Sequence, residues 1–200
     1  GLIGLNHVHE VPDIPIHLAA LNPYMCRASG EVADGMRPHP VCTPKYIEQV
    51  MLPEIRKGAA QAGRALNGFS VSMKPLIATA RDHAALEEKV RDARARVAFY
   101  ASTPAYRPAF DLHGLGDLAD ELAVLSKAQR WEKMPERISD EVLHTYVTVG
   151  TYDVIAQRLT ERYGTVATNV EFSIAAAEPE DRKTLRGLVN EVQSTPGFAL

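Results

Sequence analysis

Hydrophobic positions change period repeatedly along this chain. A short apolar run, Pro15-Ile16-His17-Leu18-Ala19-Ala20, stops at Asn22-Pro23, and a helical pattern begins at once. Asn22 is a good N-cap, and Pro23 suits the first helical position because its missing N–H would have no intrahelical partner there. The pattern predicts a strand over 15–20 and a helix over 23–33. A very short strand, Gly35-Met36-Arg37, follows, and Pro38-His39-Pro40 turns it into loop because proline cannot donate to a ladder. Thr43-Pro44 then opens a second helix with the same grammar. Ile47, Met51, Ile55 and Ala59 make its apolar stripe, Pro53 predicts a kink or a break into two helices, and Gly63 ends it.

Residues 69–80 alternate and then run apolar, as a buried strand bent near Pro75. Asp82 caps a helix whose stripe is Leu86, Val90, Ala93, Val97 and Tyr100. No period survives over 101–116, which reads as a long loop with a turn of helix; loops of that length inside a compact domain are usually functional. Asp117 caps a helix carrying Leu118, Leu122 and Leu125, and a short helix over 140–146 leads to Val147-Thr148-Val149-Gly150. Thr151 caps the next helix, with Ile155, Leu159 and Arg162, and Gly164 stands where a left-handed residue ends it. Val170, Phe172 and Ile174 share one face of a strand over 168–175, and a last helix spans 178–193. Residues 1–14 read as an extended arm or irregular loop. Each strand is followed by a helix, which predicts an α/β fold with a parallel sheet and helices outside it. At most four strands are legible, too few to close an eight-stranded barrel, and pattern alone leaves an open doubly wound sheet in play.

Composition narrows the chemistry. The 200 residues are 46% hydrophobic and 24% charged, with a net charge of −3 and a pI near 6.2. That balance leaves no electrostatic footprint for nucleic acid or an anionic membrane, and no apolar run approaches a membrane span. With no signal-peptide pattern and only Cys26 and Cys42, a reduced, cytoplasmic protein is expected. The chain starts Gly-Leu-Ile-Gly without Met, which reads as a partial sequence.

Three sets of residues carry candidate chemistry. Ala19-Ala20-Leu21-Asn22-Pro23 puts small residues at a strand's C-terminal end beside a helix N-terminus, where ligands sit in parallel α/β folds; a plain strand-to-helix turn is the competing reading. Pro38 to Thr43 forms a similar rim, with His39 as a donor and the Thr43 hydroxyl beside the next helix. In the long loop, Tyr106, Arg107 and His113 could contact a substrate, and an anionic one if the Arg107 charge is free; equally, Arg107 could pair with a nearby acid. His7-Val8-His9 has the spacing of strand histidines in some metal-dependent barrel hydrolases, but a site needs more ligands, so no metal is expected. The common nucleotide fingerprints and the GxSxG elbow are absent.

The segments IPIHLAALNPYMCRASGEVADG, HPVCTPKYIEQVMLPEIRKGAAQAGR, FYASTPAYRPAFDLHGLGDLADEL and VGTYDVIAQRLTERYG resemble, in that order, the C-terminal half of the bacterial luciferase-like flavin and deazaflavin oxidoreductases, and within them the members that use the deazaflavin coenzyme F-420. The resemblance implies that residues 1–200 are the C-terminal part of a single TIM-type (β/α)8 barrel domain with a helical insertion. It implies hydride transfer between F-420 and a small organic substrate, with an FMN-dependent monooxygenase as the alternative and a homodimer as the assembly. Ala19, Ala20, Leu21, Asn22 and Pro23 would lie against the cofactor, and Pro38, His39 and Thr43 would border its phosphate-bearing tail. Leu21 and Asn22 stand where relatives often have glycine, so added bulk is expected there. Catalytic acids and bases would come from early strands outside this chain.

Overall fold

The computed structural model describes residues 14–174 and 178–200. The predicted arm over 1–14, with His7 and His9, lies almost wholly outside the described residues. Strand β1 (His17–Ala20) leads into helix α1 (Pro23–Val32), where Asn22 Oδ1 accepts the Met25 N–H at 2.9 Å and caps it as expected. Strand β2 (Gly35–Pro38) is followed by α2 (Pro44–Tyr46), a π-helical stretch over Ile47–Met51, and α3 (Leu52–Gln61). The break predicted from Pro53 is this π turn, which absorbs the missing donor just upstream of the proline.

Pro75 divides the predicted strand over 69–80 into β3 (Ser70–Met73) and β4 (Leu76–Ala80). The two halves then serve different sheets. Strands β1, β2, β3 and β6 (Asn169–Val170) lie in that order, all parallel. Strand β4 pairs in parallel with β5 (Val147–Thr151). Among the described residues the strands do not close into a barrel. Helices α4 (His83–Ala101) and α8 (Ile155–Tyr163) follow the expected stripes, and α9 (Pro179–Gln193) fills the span predicted for the last helix. The segment read as a long loop is mostly helical: a 3-10 turn over Pro104–Tyr106 runs into α5 (Arg107–Asp111), and α6 (Gly116–Lys127) begins five residues later.

Several predicted caps move. Leu115, not Asp117, precedes α6, and Asp117 sits in its first turn, where a carboxylate favours the positive end of the helix dipole. Thr151 belongs to β5, and Val154 is the residue before α8. Gly164 is right-handed at φ −61, so left-handedness is not its role; a Cβ there would stand 2.6 Å from the Thr160 carbonyl oxygen. Helix α7 (Asp140–Tyr146) runs straight into β5.

Helices α1 and α3 cross at backbone contact. A Cβ on Gly30 would lie 2.0 Å from the Ile55 carbonyl oxygen, and one on Gly58 2.0 Å from that of Arg27. Arg64 closes the far end of α1, donating to the carbonyls of Gly30 and Ala33 at 3.0 Å each. The core beneath holds Met36, Ile47, Met51, Ile55, Val71 and Met73, all fully buried.

Candidate functional site at the strand C-terminal ends

Because β1 and β2 are parallel, their C-terminal ends and the N-termini of the helices that follow open on the same side. The Ala19 to Pro23 turn lies there. Ala19 is exposed, whereas Ala20 and Leu21 turn into the core. The bulk expected from Leu21 therefore points away from the rim, and what the turn presents is a methyl and backbone. Two buried groups hold it from below: Tyr46 Oη donates to the Leu21 carbonyl at 3.2 Å, and the Cys26 thiol approaches the same oxygen at 3.8 Å. Asn22 spends its side chain on the α1 cap, so its departure from glycine is explained by helix initiation.

The second rim segment is tied to the first and to the insertion. The His39 N–H donates to the Ala20 carbonyl at 3.2 Å. Its ring stacks on Tyr106 at a centroid distance of 4.0 Å and meets Tyr100 edge-on at 4.9 Å. Thr43 Oγ1 accepts the Tyr46 N–H at 3.2 Å as the α2 cap and lies 2.8 Å from His113 Nε2. Lys45 Nζ donates to the Leu112 carbonyl at 3.2 Å. Rim and insertion, two separate candidates in the sequence, thus form one cluster: His39 with Tyr106, and Thr43 with His113. Below it, Tyr146 packs against Phe110 and His113 and donates to the Ala109 carbonyl at 3.0 Å.

Both histidines are held below the usual imidazole range, His39 by burial, and His113 by burial with the charges of Lys45 and Arg162 behind it. They are neutral near pH 7 and can each hold or pass a proton. Burial pushes the Cys26 thiol up to about 12 and drives Cys42 higher still. Two protonated, free, buried thiols are packing groups and not nucleophiles.

Arg107 takes the second reading given for it. Its guanidinium is bound to Asp111 at 2.7 Å and to both oxygens of Asp120, which raise its pKa further. A free positive charge for an anionic substrate is therefore not what it offers. Of the three insertion candidates, Tyr106 and His113 join the rim and Arg107 braces α5 to α6. Three participants escaped the sequence. Tyr100 reads there as the last apolar position of a helix, and nothing in the spacing tells which of Tyr46, Tyr146 and Tyr100 lies under the rim. Among the described residues no group of three or more His, Cys, Asp or Glu could hold a metal, and no helix is long and apolar enough to cross a membrane.

Residues 5–169 match the family model described as luciferase-like monooxygenase. The uncharacterized protein Rv1360 of Mycobacterium tuberculosis is 39% identical over 165 residues, 82% of this chain and 48% of that protein. The F420-dependent glucose-6-phosphate dehydrogenase of Nakamurella multipartita is 27% identical over 68% of this chain and 40% of its own length. The chain spans about half the length of the curated relatives it matches. Among solved structures, the coenzyme F420-dependent tetrahydromethanopterin reductase of Methanopyrus kandleri superposes with a TM-score of 0.69 at 22% identity, over 90% of this chain and 50% of that one. That likeness establishes the α/β fold.

Proposed function

The chain belongs to the luciferase-like monooxygenase family, and from that premise we propose that it moves a hydride between the deazaflavin coenzyme F-420 and an organic substrate. The observation that carries this is the rim itself. An exposed methyl at Ala19 and an inward-turned Leu21 leave backbone open to a flat ring system, and the first turn of α1 adds the positive end of a ten-residue helix. The residues fit the group: Ala19 to Pro23 would lie against it, and Pro38, His39 and Thr43 would border its charged tail. Bound there, the deazaflavin supplies a ring carbon that gives or takes the hydride.

The protein's part is placement. Tyr46 fixes the Leu21 carbonyl and so the height of the rim, and the His39–Tyr106–Tyr100 stack joins the insertion to it. His113, joined to Thr43, ties the insertion to the second rim segment. A relative named as F420-dependent supports this choice, while the family model's description as monooxygenase supports FMN on the same scaffold as the second reading.

Fluorescence titration with F-420 tests the proposal in the wild type and in Ala19→Phe, where the new ring occupies the rim without disturbing the core. Saturable binding that Ala19→Phe abolishes is expected. An unchanged titration in that variant would refute the placement, and retention of reduced FMN in place of F-420 on gel filtration would select the monooxygenase.

A further inference from the structure

Strand alternation gives the four-stranded sheet two unlike faces. Met36, Val71 and Met73 turn into the core and are fully buried, whereas Arg37, Ser70 and Ser72, interleaved with them, stand on the opposite face with partial or full exposure. In parallel barrels the residues on that side are dominated by branched aliphatic packing. Here it is a hydroxyl floor. Ser70 Oγ lies 3.1 Å from both Ser72 Oγ and Thr168 Oγ1, and Asn169 Nδ2 donates to Ser70 Oγ at 2.8 Å.

Above the floor, toward the strands' C-terminal ends, the charges do not balance. Arg37 and Lys74 share the single carboxylate of Glu171, Arg37 through Oε2 and Lys74 through Oε1 at 3.1 Å. Two cations meet one anion, and Arg37, Lys74 and Glu171 are 47%, 59% and 49% exposed. Glu171 is ionised, since the hydrogen bonds from Arg37 and Lys74 hold it below the usual carboxylate range. Half-exposed pairs of this kind are weak in water and exchange readily. Ala19 is the register partner of Arg37 on β1, so among the described residues the neighbouring strand sets a methyl beside it.

We infer that Arg37 and Lys74 form a recognition point for a carboxylate or phosphate group of the substrate, with Glu171 as the internal anion that the ligand displaces. A planar guanidinium suits a bidentate oxyanion, and the ammonium adds a second, movable donor. The Ser72 and Asn169 side chains below can accept or donate to the neutral part of the same molecule. Assigning the anion to the substrate rests on the hydride-transfer function proposed above; anion binding itself does not.

Inorganic phosphate is the probe, titrated into isotope-labelled protein at constant ionic strength and followed by amide shifts, with glycerol as the neutral control. Saturable shifts confined to Arg37, Lys74, Glu171 and their neighbours are expected. They should vanish in Arg37→Met/Lys74→Met, and Glu171→Gln should bind phosphate at least threefold tighter because the competing carboxylate is gone. Shifts that do not saturate, that persist in the double variant, or that are unaffected by Glu171→Gln would overturn the site. F-420 titration of the double variant separates the sources. Retained F-420 binding with lost phosphate binding supports a substrate anion, whereas loss of both overturns that assignment in favour of the cofactor's own tail. Phosphate binding in a wild type that fails to bind F-420 would sink the proposed function and leave the anion site standing.

Discussion

Helix α1 meets the rim at an angle fixed by its crossing with α3, and alanine at Gly30 tests that crossing. The new Cβ would stand 2.0 Å from the Ile55 carbonyl oxygen and 2.8 Å from its carbon. A carbon rests no closer than about 3.3 Å to a carbonyl oxygen, so the helices must part by about 1 Å, and the obstacle is backbone with no rotamer to yield. A gap of that size forfeits a quarter to a half of each dispersion contact along the interface. Overpacking costs about 1–3 kcal/mol, and a backbone clash belongs at the upper end. Alanine returns about 1 kcal/mol of helix propensity, which leaves a net loss of about 2 kcal/mol, or a fall in Tm of about 4–8 °C for a chain of this size. Gly58→Ala, with the Arg27 carbonyl at 2.0 Å, should behave alike, and the double variant should lose less than the sum because both report one interface.

The control is Gly187→Ala in α9, where a Cβ meets nothing within 4 Å. There only propensity acts, and stability should rise by about 0.5–1 kcal/mol. Urea unfolding followed by circular dichroism reads all four variants, and F-420 titration of Gly30→Ala reads the rim, whose affinity should weaken as α1 moves. A Gly30→Ala protein as stable as the wild type, or shifted in the same direction as Gly187→Ala, would refute the close crossing.

Other expectations follow from single contacts. His39 and His113 both have folded pKa values below the unfolded value of about 6.5. Their neutral forms therefore add stability that is complete above about pH 6.5 and lost as pH falls through the folded values; urea midpoints between pH 8 and 5 should drop, and His39→Gln with His113→Gln should flatten that slope. Thr43→Val keeps the shape but removes the bonds to Tyr46 and His113, which should cost about 1–2 kcal/mol in urea unfolding. Arg64→Met frees the Gly30 and Ala33 carbonyls at the end of α1 and should cost about 1–2 kcal/mol by the same assay.

The strand and helix order was legible because its signals are local. Asn22-Pro23 and Thr43-Pro44 cap their helices as read, and Pro53 and Pro75 mark real interruptions. Failures came where a cap competes with a better-paired alternative. Thr151 continues the β4–β5 ladder instead of starting α8, and a ladder bond outweighs a side-chain cap that was merely available. Residues 101–116 concealed α5 because its stabilising contacts are distant in sequence: Arg107 with Asp120, and Phe110 with Tyr146.

The site was legible in parts but not as a whole, for the same reason. Local chemistry marked His39 and Thr43 as one candidate and Tyr106 and His113 as another, but their contacts join residues 67 and 70 positions apart, and no periodicity encodes such a pairing. Side-chain direction was likewise hidden. Leu21 looked like an obstruction until burial turned it inward, and Arg107 looked like a binding charge until two aspartates claimed it. Arg37, by contrast, is inconspicuous in the sequence beside Pro38-His39-Pro40, because its surroundings depend on Lys74 and Glu171, brought next to it by the parallel register of β2, β3 and β6. Two cations sharing one acid thus stand not in the insertion but on the sheet, where Arg37 lies two residues from His39 and the strand gives way to the rim.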